Sequence, residues 1–314
     1  MKASVLGASC LALAAAIWGG MYVVSKYVLQ FIAPLALVWL RYLLGSMLLF
    51  ALLCLQQRKA QQRLKLSKKQ WLMLLWIGFI GYFVSIASQF IGTKLSDAHT
   101  GAMITAATPV FVVVCARFVL RERFTVRKVL SLLIATSGVA LTIGLPDHFG
   151  NYFWGCIMLV LAAVTWALLS VSVKQAAEFI SPLAMTAYTI FFALIFTSPF
   201  MIYDWAAGAI HIPDWRVIAG ILYLGAIATA GAFFLWNKGL AMIDAGSGSL
   251  FLFLQPIVGT LLGWLILGEE LSIHFAIGSL LILAGVAVVT FEPQTKDTRQ
   301  NRIEYIQNSI MRKK

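Results

Sequence analysis

The sequence predicts an all-α integral membrane protein with ten transmembrane helices in two inverted repeats of five. Three observations predict this fold class: a strongly apolar composition, a series of apolar runs long enough to span a membrane, and an internal repeat. Of the 314 residues, 61% are hydrophobic and only 11% are charged. A soluble domain of this length could not present such a balance to water, so we expect most of the chain to lie in lipid.

The apolar runs have the length and composition of helices rather than of strands. A helix needs about 20 residues to cross roughly 30 Å of hydrocarbon, whereas barrel strands are about 10 residues long and alternate in polarity. Runs such as 72–83 and 129–145 are apolar or small almost throughout. The first run begins after Lys2 like a signal peptide, but it continues to Val28 without a small-residue cleavage site, so we expect a retained helix. In chain order, the predicted spans are residues 4–27, 33–55, 71–91, 98–119, 127–145, 152–174, 181–203, 216–237, 246–268 and 272–291.

The basic residues predict the orientation of these spans. With the N-terminus in the cytoplasm, only Lys26, Arg41, Lys94 and Arg216 of the 24 Lys and Arg residues fall outside or within the membrane. Basic residues mark cytoplasmic loops, so both termini are predicted to be cytoplasmic in the inner membrane of a bacterium. The net charge of +12 therefore reports topology, and no nucleic-acid partner is expected.

An internal repeat appears when the chain is shifted against itself. Near the start of each half, residues recur at a shift of 148: Trp18, Lys26 and 31–34 as Trp166, Lys174 and 179–182. Later, residues recur at a shift of 147: Asp97, Pro109, 120–122 and 138–140 as Asp244, Pro256, 267–269 and 285–287. The predicted organisation is a first five-helix repeat at 1–148, a second at 149–291, and a basic cytoplasmic tail at 292–314.

Five is an odd number of crossings, so the second repeat must be inverted relative to the first. Inverted repeats related by an axis in the membrane plane favour two mirror-like states around a site near the midplane, which is the arrangement behind alternating access. In the tail, isoleucines at helical spacing among basic residues favour a helix on anionic membrane lipids, with a solvated tail as the alternative.

Several short motifs resemble a known transporter family. They are 16–20 with 25–26, Pro34, Arg41, 107–110 and 120–123, together with their echoes in the second half. This pattern, over residues 10 to 291, resembles the EamA branch of the drug/metabolite transporter superfamily. The resemblance implies a ten-helix, exporter-like fold whose members carry amino acids, related metabolites or drugs. The second half departs from the pattern, with Ala167 after Trp166 in place of Trp-Gly and no basic match to Arg41, so the resemblance names no substrate.

Polar and aromatic stripes within the spans predict a substrate cavity, because polar groups that face lipid are costly. The first and sixth spans carry such stripes at four-residue spacing, and the third, fourth, eighth and ninth spans add amides, hydroxyls and aromatic rings. Glycines in the third span, such as Gly78 and Gly81, either line this cavity or permit tight packing. The predicted substrate-binding residues are Trp18, Tyr22, Tyr82, Ser85, Gln89, Thr108, Trp166, Ser170, Trp236, Asn237 and Gln255.

Prolines in the fourth and ninth spans are expected to free the backbone carbonyls of Thr105 and Leu252 toward the substrate, or only to shape the packing. Five charged residues are candidates for gating or charge recognition: Lys26, Arg41, Glu122, Lys174 and Glu269. For the lysines and Arg41 the sequence favours a structural role, in which the lysines snorkel to the interfaces and Arg41 bonds to backbone carbonyls or headgroups. For the glutamates the alternative to a gating ion pair is a solvated charge at a helix end.

The sequence favours transport over catalysis. The cysteines show no pair spacing, and no histidine cluster, nucleotide-binding loop or midplane carboxylate is present, so we expect no metal, no cofactor and no enzyme activity. The predicted function is export of amino acids or similar small metabolites by alternating access. The alternatives are multidrug efflux and, less favoured, a membrane-embedded protein that does not transport.

Overall fold

The computed structural model describes residues 2–60, 66–95, 104–105, 108–122, 125–143, 152–267 and 273–290. Within these ranges the chain is helical, and no strand is formed. The single β-bridge joins Ile32 to Ile210, between two connections that lie at the same end of the bundle. The predicted all-α class is confirmed for this part of the chain.

The helices follow the predicted spans, with shifts of up to five residues at their ends, except that most of the predicted start of the fourth span, at 98–107, lies outside the described residues. Their bounds are α1 Lys2–Val28, α2 Pro34–Ala60, α3 Lys68–Leu95, α4 Thr108–Leu120, α5 Val126–Ile143, α6 Tyr152–Ala176, α7 Pro182–Ala206, α8 Trp215–Met242, α9 Ala245–Leu267 and α10 Ile273–Thr290. Of these, α1, α2, α3, α6, α7 and α8 are long and apolar enough to cross a membrane by length and composition. A count of ten crossings remains a prediction.

Local sequence sets where several helices begin. Ser67 and Gln70 form a reciprocal capping box at the start of α3, and Ser181 caps α7 just ahead of Pro182. Both arrangements satisfy backbone N–H groups that a helix start otherwise leaves without partners. At its other end, α2 continues to Ala60, so part of the polar segment predicted as a connection is helical.

Three described helices contain π-helical segments that the sequence analysis did not predict: a short one at Ala116–Leu120 in α4 and two longer ones. The longer ones span Ile77–Ser85 in α3 and Tyr223–Gly231 in α8. A π-helical turn pairs each N–H with the carbonyl five residues earlier, which disturbs the regular ladder and often marks functional positions. Side chains bind carbonyls in both longer segments: the Tyr42 hydroxyl donates to the Tyr82 carbonyl at 2.5 Å, and the indole of Trp18 donates to that of Ala228 at 3.0 Å.

The contacts that the first five helices make with the last five correspond to those in the opposite direction. Helix α1 packs on α8 and α9, while α6 packs on α3 and α4; α2 packs on α7, and α5 on α10. Glycines allow the closest approaches. A Cβ on Gly81 would lie 2.0 Å from Leu169 Cδ1 in α6, and one on Gly19 would lie 2.8 Å from the Gln255 carbonyl in α9. The glycine stripe of α3 therefore serves helix packing, one of the two predicted roles.

Large apolar side chains cover the outer surface of the bundle. Trp154, Ile202 and Leu265, for example, are 61–70% exposed, in helices whose other faces are buried. An extensive exposed apolar surface of this kind is expected where the surrounding medium is lipid rather than water. The fold thus presents a lipid-facing exterior around a core in which polar side chains collect.

Candidate functional site

An aromatic cluster occupies the centre of the bundle. The rings of Trp18 in α1 and Trp166 in α6 meet edge to face with centroids 5.4 Å apart, and Phe233 and Trp236 of α8 approach Trp18 at 5.2 and 5.3 Å. Tilted and edge-to-face contacts are the favoured geometry of aromatic pairs. Because Trp18 and Trp166 are counterparts in the internal repeat, this cluster is where equivalent positions of the two halves touch.

A cavity opens beside this cluster, with an empty volume of about 470 Å³ when the part open to solvent is counted. Its walls are mostly apolar, with hydroxyls, amides and a guanidinium among them. This composition is that of a site for a small organic molecule. The lining residues are Trp18, Met21, Arg41, Ser85, Ile86, Gln89, Thr105, Thr108, Ala162, Ala163, Trp166, Phe233, Leu252 and Gln255.

The cavity brings together more than half of the predicted substrate-binding residues. The predicted substrate-binding residues that line the cavity are Trp18, Ser85, Gln89, Thr108, Trp166 and Gln255. The Oγ of Ser85 donates to the Ala162 carbonyl at 2.8 Å, which holds α3 against α6 at the cavity wall. Two further lining residues, Thr105 and Leu252, are those whose carbonyls the prolines are expected to free. The 3-10 turn Leu250–Phe253 lies just before Pro256 and interrupts the regular helix there.

Other predicted residues lie behind the lining. Tyr82 and Asn237 are fully buried and hydrogen-bond to each other, and the Asn237 amide also donates to Thr186 Oγ1 at 2.9 Å. Trp236 packs against Trp18 from outside the cavity. Ser170 donates to the Trp166 carbonyl one turn away, which satisfies its hydroxyl within α6. A direct role for these four in substrate binding stays a prediction, and their observed contacts are with the protein.

Three predicted residues have no described side chain. Tyr22 and Lys26 lie in α1 without a described side-chain position, and Glu269 lies outside the described residues. Sequence reasoning missed Met21 and Phe233 as lining residues. Both lie three residues from a predicted tryptophan, on the same helix face.

Arg41 is the charged residue of the cavity. It is fully buried in α2, and its Nε donates to Thr229 Oγ1 of α8 at 2.9 Å. Its Nη1 and Nη2 have no hydrogen-bond partner among the described residues. Two further polar atoms of lining residues, Trp166 Nε1 and Thr108 Oγ1, are likewise buried without a partner in the described part of the chain.

An ion-pair cluster joins the two halves away from the cavity. Lys128 Nζ lies 3.3 Å from a Glu122 carboxylate oxygen and 2.5 Å from one of Asp244. The Glu122 carboxylate also accepts from the backbone N–H groups of Ala245 and Gly246, at 2.8 and 3.2 Å. Glu122 therefore caps the N-terminal N–H groups of α9 and also pairs with Lys128. It is not a solvated charge at the end of α4.

The two carboxylates of the cluster differ in acidity. Burial and the neighbouring Asp244 carboxylate raise the pKa of Glu122. Burial also opposes ionisation of Asp244, but Lys128 and the N–H of Ser247 outweigh it and hold its pKa below the usual range. Beside the cluster, Lys174 donates to the Ile243 carbonyl at 2.6 Å and ties the end of α6 to the end of α8. Four charged side chains thus gather where the α4–α5 and α8–α9 connections meet.

The described residues offer no metal site, because no group of three or more His, Cys, Asp or Glu side chains comes together within them. The polar groups that line the cavity are hydrogen-bond donors and acceptors, which can fix the orientation of a small bound molecule.

The chain is similar to known proteins in sequence and in fold. The model of the EamA-like transporter family matches residues 5–144 and 153–291. An uncharacterised transporter of Bacillus subtilis, YetK, is 26% identical over 91% of this chain and 87% of its own length. A protein of Salmonella typhimurium named as a probable amino-acid metabolite efflux pump is 26% identical over 88% of this chain and 91% of its own. One crystal structure superposes with a TM-score of 0.73 at 20% identity, over 92% of this chain and 96% of the other.

Proposed function

Because this chain belongs to the EamA-like transporter family, we propose that it exports amino acids or similar small metabolites by alternating access. The central cavity carries this proposal. It lies at the meeting point of Trp18 and Trp166, and it combines aromatic walls with a few polar groups. Aromatic faces suit the apolar part of a metabolite, while amides and hydroxyls fix its polar end. The Salmonella relative named as a probable amino-acid metabolite efflux pump supports the same substrate class.

The proposal includes ten membrane crossings in two inverted repeats. Several independent features support it. The family model matches the chain twice, in two segments of similar length. The helix contacts exchange in the pattern that a two-fold relation of α1–α5 with α6–α10 requires, and the π-helical segments of α3 and α8 fall at equivalent positions to within one residue. Such a relation gives one chain two mirror-like states around a central site.

The charged cluster has a place in this cycle. With both termini in the cytoplasm of a bacterial inner membrane, as the Lys and Arg distribution favours, Glu122, Lys128 and Asp244 lie at the cytoplasmic end. There they hold the α4–α5 connection against the start of α9 and close the inner side. Lys174 adds a second tie at the same end. Release of these contacts would open the cavity inward, so the cluster acts as the inner gate.

The first test compares metabolites in the medium of cells that produce the wild type, Trp18→Ala or Trp154→Ala at matched membrane levels. Trp18 lines the cavity, whereas Trp154 is 61% exposed on the outer surface, so the control loses the same side chain from the lipid-facing side. We expect one or more compounds to accumulate at least several-fold with the wild type and Trp154→Ala, and at background level with Trp18→Ala. Equal accumulation in all three strains, or none in any, would reject export through this cavity.

A further inference from the structure

Within the central cavity, the Arg41 side chain has donors for which the described residues supply no partner. Its Nε is bound by Thr229, whose hydroxyl in turn donates to the Leu224 carbonyl inside the π-helical segment of α8 at 2.7 Å. This chain of two hydrogen bonds fixes the plane of the guanidinium. The other two nitrogens are left as a pair of donors, both fully buried and without a partner among the described residues.

Within the described part of the chain, no acidic side chain compensates the charge of this group. Among the described residues no Asp or Glu lines the cavity. The ring of Phe90 has its centroid 5.8 Å from Arg41 Cζ, near the outer limit of a cation–π contact. A buried arginine without a counter-ion is costly, and buried charges are normally paired. The negative charge that neutralises Arg41 is therefore expected to come from a ligand.

The free donors also select the kind of anion. Two parallel N–H groups of a guanidinium match the two oxygens of a carboxylate in bidentate geometry. Thr108 and Trp166 line the same cavity, and the Thr108 hydroxyl and Trp166 indole N–H, buried without a partner among the described residues, are further donors for the same polar head. Trp18 and Phe233 form an apolar wall beside them, which favours a hydrocarbon or aromatic remainder.

We infer that the transported compounds are small organic carboxylates, anchored end-on by Nη1 and Nη2 of Arg41. This inference rests on the proposed transport function and narrows its substrate class. A cationic drug finds no carboxylate among the described lining residues and meets a fixed positive charge, so the cavity selects against it. An amino acid satisfies the inference through its carboxylate, with its ammonium left to aromatic faces or backbone carbonyls.

The test uses purified full-length protein and two matched pairs of probes: 3-phenylpropionate with 3-phenylpropanamide, and hexanoate with hexanamide. Binding is followed by tryptophan fluorescence, because Trp18 and Trp166 line the cavity. For the wild type we expect each acid to bind at least tenfold more tightly than its amide. In Arg41→Gln the difference should fall to within twofold, and Arg41→Lys should keep only part of it, since an ammonium lacks the fork. Arg216→Gln, at an exposed arginine near the start of α8, should leave it unchanged.

Thr229→Val provides a second variant if Arg41→Gln fails to fold, because it keeps the charge but removes the Nε partner. We expect it to weaken acid binding several-fold and to leave amide binding unchanged. Equal binding of acid and amide by the wild type, binding of neither, or an unchanged preference in Arg41→Gln would overturn the inference. Failure here is distinguishable from failure of the transport proposal. Export of uncharged or cationic compounds in the Trp18 experiment would uphold transport and reject the carboxylate assignment.

Discussion

At the scale of single residues, the contacts of Lys128 allow a direct prediction of a change in the free energy of unfolding. Its ammonium is shared by Glu122 and Asp244, and its side chain is only 7% exposed. Removing one member of a buried ion pair leaves an uncompensated charge, which costs far more than the pair itself contributes. Loss of Lys128 should therefore be worse than loss of either carboxylate.

We predict that Lys128→Met lowers the free energy of unfolding by roughly 2–3 kcal/mol, less than for a fully buried pair because Asp244 is 34% exposed. The apparent melting temperature of the purified protein should fall by several degrees. Arg127→Met, at the exposed neighbouring position, is the matched control and should change it little. Addition of Asp244→Asn to Lys128→Met should restore part of the loss. Equal effects at positions 127 and 128 would contradict the ion-pair assignment.

From the sequence, a residue could be predicted to face the interior where its chemistry makes contact with lipid unfavourable. Trp18, Trp166 and Arg41 stood out because polar or large aromatic side chains within apolar helices need an interior partner. Tyr82 and Asn237 satisfied the same criterion, yet they bond to each other behind the cavity wall. The polarity of a residue indicates that it faces inward, whereas its partner depends on the rotation of neighbouring helices, which no local pattern specifies.

At the scale of helices, close backbone approach controls how α3 packs. A methyl group at Gly81 would overlap Leu169, with both Leu169 Cβ and Cδ1 within 2.6 Å of it. Because Leu169 is itself fully buried, it has little room to move aside. The α3–α6 contact thus depends on the absence of a side chain at position 81.

We predict that Gly81→Ala destabilises the protein by about 1–3 kcal/mol through overpacking. The control is Gly231→Ala in the corresponding π-helical segment of α8, where the added Cβ would lie 3.6 Å from the Ala226 carbonyl, an ordinary contact. That change should be neutral or slightly stabilising, because alanine favours helix more than glycine does. Melting temperatures of both variants provide the measurement. If Leu169→Ala does not recover stability in the Gly81→Ala background, the cause lies elsewhere.

Helix positions could be predicted from the sequence, but the π-helical segments could not. Apolar runs and the spacing of basic loops define where a chain enters and leaves lipid, whatever the internal hydrogen bonding of the helix. A π-helical segment depends instead on tertiary partners. Here the Tyr42 hydroxyl and the Trp18 indole bind the carbonyls that the wider turns leave available.

At the scale of the whole molecule, alternating access requires the start of α9 to part from α4. A Cβ at Gly246 would lie 3.5 Å from Val113 Cγ2. A side chain at position 246 therefore reaches residue 113, so cysteines at these two positions are candidates for a disulfide between the halves. Such a bond would fix the two halves together beside the ion-pair cluster.

We predict that oxidised Val113→Cys/Gly246→Cys abolishes export and that a reductant restores it. The four native cysteines, Cys10, Cys54, Cys115 and Cys156, are first replaced by serine. The single variants Val113→Cys and Gly246→Cys are the controls and should export equally with and without oxidant. Full export by the cross-linked protein would mean that these ends stay together throughout transport, and the inner-gate proposal would be wrong.

The position of Lys128 bears on which state the unloaded transporter favours, because the cation has no counterpart in the second repeat. At the sequence position equivalent to Lys128, 147 residues later, stands Phe275, whereas Glu122 and Asp244 have the acidic counterparts Glu269 and Asp97. Under the proposed two-fold relation, the far side therefore has no lysine at the position equivalent to Lys128. If this difference makes the two closures unequal in strength, the unloaded protein would favour the state that is closed to the cytoplasm. Under the proposed function, each round of export would then begin with the opening of the more strongly held side, and we expect that step to slow the cycle.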